Sequence, residues 1–166
     1  VNVMKAVKDH QALVKQACES GAHAIVMGAG LPLDLPEMVE DHPEVALFPI
    51  LSESRGINIV LKRWMKKNKL PDAIVIEHPN HAAGHLGAAK VDDLHDTRFD
   101  FENVIPQVRA FFKSAGYERD IPLVAAGGIM DGAGIRAALD LGMMSDAGGD
   151  WVSKAIGVEI RVKARR

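Results

Sequence analysis

The sequence has little cysteine, few aromatic residues and no long apolar run, and each shortage narrows the kind of protein it can encode. The single cysteine, Cys18, has no second cysteine with which to form an internal disulfide, which favours a reducing, cytoplasmic location. No apolar stretch approaches the roughly 20 residues that span a bilayer, and no signal peptide is visible. We therefore expect a protein that does not work within a membrane.

A strong charge of one sign is also missing. The formal net charge is -2, so no surface suited to nucleic acid or to lipid is expected. The basic stretch RVKARR at the C-terminus is interpreted as a solvated tail. What the chain does have is 166 residues with 48% hydrophobic and 25% charged side chains, the profile of one globular domain with a substantial core.

Apolar runs and helical periodicity alternate along the chain. Strands are predicted at 1–4, 23–30, 45–52, 72–77 and 121–129, and helices at 9–21, 54–71, 101–116 and 132–142. A single helical turn is expected in the proline-bounded loop 31–43. In the first helix the predicted apolar stripe is Ala12, Leu13, Ala17 and Cys18. In the second helix Ser54 is the predicted N-cap.

Strands that are continuous apolar runs predict a parallel sheet built from about five strand–helix units. Two architectures fit this pattern, an open doubly wound sheet and a (β/α)8 barrel. A complete barrel needs about 250 residues. The chain is therefore either a small open sheet or an incomplete barrel, with no domain boundary before about residue 143.

Glycine or polar residues follow four of the predicted strands. These strand ends are Met27-Gly28-Ala29-Gly30, Ser52-Glu53, Glu77-His78 and Gly127-Gly128. One such end could be no more than a tight turn. In parallel folds, however, the carboxyl ends of the strands carry the site, so four of them predict a concave site at one rim.

The segment VAAGGIMDGAG places two glycines between a strand and a helix that begins near Gly132 or Gly134. Glycines allow close backbone approach, and a helix N-terminus presents N–H groups that suit a phosphate. The spacing is not that of a Rossmann fingerprint, and no Gly-Lys-Ser/Thr of a P-loop follows. A phosphate site of the barrel type fits better.

Three histidines, His78, His81 and His85, lie in the loop after the fourth predicted strand. Helical H-E-x-x-H spacing is absent, and Pro79 and Gly84 disfavour a helix, so no metal site is predicted. His85 follows a run of small residues that leaves space for a flat ligand. Imidazole titrates near neutral pH, so His85 is either a general base or a structural loop histidine.

The stretch DAIVIEHPNHAAGHLG, followed by IPLVAAGGIMDGAGIRAALDLG, resembles the nitronate monooxygenase family, formerly called 2-nitropropane dioxygenases. Members are FMN-dependent (β/α)8 barrels. The resemblance covers about residues 1–142, including VNVM, which is similar to a family strand whose Asn touches the flavin. It implies an α/β fold of parallel βα units from an incomplete TIM barrel. Residues 1–142 are expected to form the partial FMN-binding domain, and 143–166 a divergent C-terminal tail.

The resemblance also implies roles for individual residues. His85 matches the family's catalytic histidine, which acts as a base on a nitroalkane or supports a bound nitronate. Ala83 and Gly84 match a Gly-Gly pair that packs against FMN, and His78 stands where many members have Gln. The full set of implied cofactor contacts is Asn2, His78, Ala83, Gly84, Gly127 and Gly128.

The implied activity is oxidation of nitronates or nitroalkanes by O2 to a carbonyl compound and nitrite. The implied partners are thus a small nitronate and O2, with neither nucleic acid nor membrane. The chain departs from the family in lacking a first strand similar to Pro-Ile-x-x-Gly-Pro-Met and a last strand similar to Gly-Val-Gln-Met-Gly-Thr-Arg-Phe. Three alternatives remain: a flavin-dependent enoyl-ACP reductase, an inactive barrel fragment without turnover, and a metal-binding module.

Overall fold

A computed structural model describes residues 1–82, 87–88, 90–117 and 121–143. The strands are β1 (Asn2–Met4), β2 (Ala24–Gly28), β3 (Ala46–Leu51), β4 (Ile74–Glu77) and β5 (Leu123–Ala126). The helices are α1 (His10–Glu19), α2 (Leu35–Met38), α3 (Ser54–Met65), α4 (Phe101–Ala115) and α5 (Gly132–Asp140). Single 3₁₀ turns lie at Pro79–His81, Val91–Asp93 and Thr97–Phe99, between β4 and α4.

The order of the strands identifies the architecture. All neighbouring strands are parallel, and the order across the sheet is β1-β2-β3-β4-β5, the same as the order along the chain. A doubly wound sheet reverses direction at a switch point, whereas each strand of a (β/α)8 barrel pairs with the next. The described residues therefore form consecutive units of an incomplete barrel, and the α/β fold class predicted from sequence is confirmed.

The two faces of the sheet have different partners. The larger apolar cluster joins outward strand residues such as Ile25, Leu47 and Ile74 to buried residues of the helices, among them Val14, Trp64 and Val108. The smaller cluster, on the other face, comprises Ala24, Phe48 and Ala73, with Val26, Ala46 and Val124 packed against it. Since the helices share one cluster, they cover one face only, as the outer ring of a barrel does.

The opposite, inner face leads to the rim where a barrel carries its site. Met4 pairs with Gly28, and Glu77 pairs with Ala126, so inward residues of neighbouring strands stand side by side. A Cβ at Gly28 would lie 2.9 Å from the Cβ of Ile50, so only glycine fits there. Met4 is 43% exposed, which shows how open this face is at the β1 edge.

Two details of the helices differ from the sequence prediction. In α1 the buried residues are Val14 and Cys18, while Leu13 is 49% exposed. The face of α1 that packs on the core is thus centred on Val14 and Cys18, and the predicted stripe was wrong in including Leu13. In α3 Ser54 is the first helical residue and Glu53 holds the N-cap position. The Ser54 hydroxyl instead donates to Oε1 of Gln107 at 2.6 Å and joins α3 to α4.

Polar contacts fix the loop between β2 and α2 at the rim. The Lys5 ammonium, just beyond β1, pairs with the Asp34 carboxylate in front of α2. The buried Trp64 indole N–H donates to the Pro32 carbonyl at 2.9 Å. This loop is thus held from both sides, by the end of β1 and by α3. No helix among the described residues combines the length and the apolar character needed to cross a bilayer.

Candidate functional site

A cavity of about 230 Å³ opens at the carboxyl ends of β4 and β5. It lies between the residues that follow these strands, the first turn of α4 and one side of α5 along its length. Its described lining residues are His78, His81, Asp100, Phe101, Glu102, Gly127, Gly128, Ile129, Gly134, Ala137, Ala138 and Leu141. The cavity therefore occupies the rim at which the sequence predicts a concave site.

His78 is held by hydrogen bonds at the end of β4. Its backbone N–H donates to the Ala126 carbonyl at 3.1 Å, which extends the pairing of β4 with β5. Its Nδ1 accepts the Asn80 N–H at 3.2 Å, and its Nε2 lies 3.3 Å from Oδ1 of Asp100. Because Nδ1 accepts a hydrogen bond, the neutral ring carries its proton on Nε2 and donates it to Asp100. Both ring nitrogens thus have protein partners.

Asp100 connects this histidine to α4. It occupies the N-cap position of α4, but its side chain makes no capping hydrogen bond there and faces His78 instead. The next residue, Phe101, meets the His78 ring edge-on with centroids 6.2 Å apart. The pairing fixes the start of α4 against the end of β4, and it places Asp100 and Glu102 in the lining of the cavity.

The turn from β5 to α5 is made by Gly127 and Gly128. Their φ angles are +88° and +76°, a conformation that residues with a side chain seldom adopt. Asp131 then caps α5, its Oδ1 accepting the Gly134 N–H at 2.8 Å. Within the described residues, the N–H groups of Gly128 and Ile129 donate no hydrogen bond. These groups and the N-terminus of α5 suit an anion.

His81 was given no role by the sequence, and the structure places it at this turn. Its ring lies 5.2 Å from that of His78, at an angle of 48°. A Cβ built on Gly128 would lie 2.7 Å from Cδ2 of His81, so the ring rests on the bare backbone of that glycine. Only the position of His81 in a loop at a strand end hinted at a role, because the contact joins residues far apart in sequence.

The implied cofactor contacts and the implied catalytic histidine fall into three groups. His78, Gly127 and Gly128 come together in the cavity. Asn2 lies on β1, separated from β5 by three strands, and does not line the cavity. Ala83, Gly84 and His85 lie outside the described residues. Gly87, beyond that gap, lies against Pro79 and Ser52 at the ends of β4 and β3.

Metal ligation was the other possibility for the histidine loop. Among the residues that the structure describes, no group of three His, Cys, Asp or Glu side chains is arranged to hold a metal ion. His85 is not among them, so the three histidines as a set are not tested.

Arg98 ties the long connection before α4 to the neighbouring strand end. Its guanidinium lies 2.6 Å from an Asp93 carboxylate oxygen and 3.6 Å from carboxylate oxygens of Asp96 and Glu53. Glu53 follows β3 and precedes α3. The connection therefore folds back to the end of β3 at the rim of the sheet.

Comparison with known proteins gives the family. The Nitronate monooxygenase family model matches residues 1–147. Among solved structures, FabK from Thermotoga maritima matches with a TM-score of 0.60 and 22% identity, over 87% of this chain and 39% of that one. A point mutant of FabK matches over 86% and 40%, with the same TM-score and identity. The comparison with curated proteins found no match.

The chain thus spans about two fifths of the length of the structures it resembles, in agreement with an incomplete barrel. At 22% identity the similarity to these structures is evidence for the fold alone. The family match identifies the family, because the model matches most of the chain, from β1 to beyond the end of α5. The chain belongs to the nitronate monooxygenase family.

Proposed function

We propose that this chain carries part of the site of an FMN-dependent oxidoreductase that oxidises nitronates or nitroalkanes with O2 to a carbonyl compound and nitrite. The observation that supports this most is the family match over residues 1–147. The cavity adds to this support, because three of the residues that the resemblance implies as cofactor contacts, His78, Gly127 and Gly128, line it together.

The glycine turn of the cavity fits the phosphate end of a flavin. The Gly127–Gly128 turn leaves backbone N–H groups without a partner among the described residues, beside the N-terminus of α5. The cavity of about 230 Å³ is smaller than the roughly 300–1,000 Å³ of a site for a drug-sized ligand. It would therefore hold the phosphate end of the flavin and not the whole cofactor.

A bound flavin would supply the redox chemistry, accepting electrons from the substrate before oxygen reacts. The task of the protein is to hold the cofactor and to manage a proton. By the family resemblance His85 takes the proton from a neutral nitroalkane. A preformed nitronate has already lost that proton and needs the histidine only as an electrostatic partner.

Anaerobic mixing tests this proposal. The chain is first titrated with FMN, and the loaded protein is then mixed with a nitronate or with NADH while the flavin absorbance is followed. We expect rapid bleaching by nitronate and little by NADH. Bleaching by NADH alone would favour the flavin-dependent enoyl-ACP reductase instead. A chain that takes up no FMN would contradict both enzyme functions and favour a fragment without turnover.

A further inference from the structure

We propose that His81 is a pH-dependent partner of the cofactor phosphate, supplying positive charge at the Gly127–Gly128 turn. This proposal rests on the proposed function in one respect, that the cavity takes the phosphate of a flavin. It goes further by giving a binding role to a residue to which the family resemblance gives none.

The first argument is the charge of the cavity. Among the described residues that line it, the carboxylates are Asp100 and Glu102, both from the start of α4, and there is no lysine or arginine. Asp131, at the start of α5, adds a third carboxylate nearby, although its Oδ1 is engaged by the Gly134 N–H. A phosphate entering this cavity meets negative charge and needs a positive group beside it.

The second argument is that His78 is not free to be that group. Its Nδ1 accepts the Asn80 N–H, and its Nε2 faces Asp100. The ring of His81, in contrast, makes no hydrogen bond within the described part of the chain and is exposed at the cavity. His81 is thus the lining residue that can become positive and still offer a ring N–H.

The third argument is position. The His81 ring rests on Gly128, with Cδ2 2.7 Å and Nε2 3.2 Å from where a Cβ of that residue would stand. The Gly128 and Ile129 N–H groups that suit an anion belong to the same turn. The imidazole and these N–H groups thus belong to the same turn, and we expect an anion bound there to contact both. The hydrogen bond between imidazolium and phosphate is charge-assisted and stronger than a neutral one.

The consequence is a binding constant that varies with pH. A histidine side chain can gain a positive charge in mildly acidic solution, so the proposed contact is tested at one acidic and one alkaline pH. The phosphate monoester itself titrates near pH 6. The comparison must therefore be made between variants at one pH, where the titration of the ligand cancels.

The experiment measures dissociation constants of FMN and riboflavin, which has the same ring but no phosphate, at pH 5.5 and pH 8.5. The variants are His81→Gln, which cannot become positive, and His81→Lys, which is positive at both pH values. His95→Gln is the matched control, because His95 is exposed in the same connection but does not line the cavity.

We expect His81→Gln to weaken FMN binding about tenfold at pH 5.5, as loss of a charge-assisted hydrogen bond would, and less than twofold at pH 8.5. Riboflavin affinity and the His95→Gln control should not change. His81→Lys should bind FMN tightly at both pH values.

Three results would overturn the proposal. FMN binding that is equal in wild type and His81→Gln at pH 5.5 would show that the imidazole contributes nothing, while leaving the proposed function intact. Equal losses for FMN and riboflavin would mean that the substitution disturbs the turn rather than the phosphate contact. If the wild-type chain bound neither flavin, the proposed function would fail as well.

Discussion

The Nε2 atom of His78 lies 3.3 Å from Oδ1 of Asp100 and joins the end of β4 to the start of α4 across the long connection. The His78 side chain is 15% exposed, whereas that of Asp100 is 41% exposed. The pair is therefore partly screened by solvent. Its contribution to stability is that of one ordinary hydrogen bond rather than that of a buried ion pair.

Asp100→Ala should lower the free energy of unfolding by about 0.5–1.5 kcal/mol, because it removes the acceptor that His78 faces. Urea denaturation at pH 7 measures this. Glu102→Ala is the control: it also removes a carboxylate near the N-terminus of α4, but has no hydrogen bond to lose within the described residues. The hypothesis is wrong if the two variants are equally destabilised, since the charge at the helix N-terminus would then explain both.

Trp64→Phe should lower the free energy of unfolding by about 1–3 kcal/mol. The indole N–H donates to the buried Pro32 carbonyl at 2.9 Å, and phenylalanine would leave that carbonyl only the longer hydrogen bond from the Leu35 N–H, at 3.4 Å. It would also leave a void where the larger, fully buried indole packs. Tyr117→Phe is the matched control, because it also removes one polar group from an aromatic side chain. Within the described part of the chain the Tyr117 hydroxyl donates only to the Met65 sulfur, at 2.7 Å, and sulfur is a weak acceptor. Its loss should stay within about 0.5 kcal/mol.

The pairing of Lys5 with Asp34 predicts a dependence of stability on pH. Burial raises the pKa of Asp34, but the hydrogen bond from Lys5, the backbone hydrogen bond and nearby positive charge outweigh it, so the pKa is lowered. A lowered pKa contributes stability above the unfolded-state value of about 3.9, and that contribution is lost as pH falls through the folded-state pKa. The loop between β2 and α2 is thus held more firmly at neutral pH than in acid.

Asp34→Asn tests this dependence. The free energies of unfolding of wild type and variant should differ at pH 7, with the wild type more stable. That difference should shrink as the pH is lowered below about 4, because the unfolded chain then takes up a proton at Asp34 and the folded chain follows at its lower pKa. Urea titrations between pH 3 and 7 measure both curves. A constant difference across this range would show that the substitution acts through packing and not through charge.

The sequence was sufficient for the elements and not for their arrangement. All five predicted strands and all four predicted helices are present, because apolar runs and helical periodicity are local properties. The choice between a doubly wound sheet and a barrel could not be made from the residues. Strands such as β2 and β3 are continuous apolar runs, and both architectures contain such strands. Only the order of the strands in space separates the two.

The candidate site was predictable to the extent that it consists of strand ends. The Gly127–Gly128 turn and His78 follow strands, so their meeting at one rim could be anticipated. The partnership of His78 with Asp100 could not, because it depends on how a connection of irregular structure returns to the sheet. The contact of His81 with Gly128 could not be predicted from the sequence for the same reason. The boundary at residue 143 stays a prediction, although the buried Met143 packs in the larger core cluster.

His85→Ala should reduce turnover of a neutral nitroalkane by roughly 10²–10⁴-fold, as loss of a general base would. Turnover of the preformed nitronate should fall much less, because the proton has already left. Steady-state rates with both substrates, measured on FMN-loaded protein, provide the comparison. Equal losses on the two substrates would contradict the base role and indicate that the histidine supports binding instead.

Gly128→Ala should lower the free energy of unfolding by about 1–2 kcal/mol, because its φ of +76° is strained for any residue with a Cβ. The new Cβ would also lie 2.7 Å from Cδ2 of His81, so the imidazole must move away from the turn. FMN binding at pH 5.5 should therefore weaken as it does in His81→Gln.

Gly132→Ala is the control for this substitution, since Gly132 lies on the same segment, begins α5 and has nothing within 4 Å of its Cβ position. It should leave stability unchanged or raise it slightly, because alanine restricts the unfolded chain. The double variant Gly128→Ala/His81→Ala separates the two effects of the first change. If the backbone is the main cost, the double variant stays about as unstable as Gly128→Ala; recovery of most of the lost stability would place the cost in the displaced His81 ring.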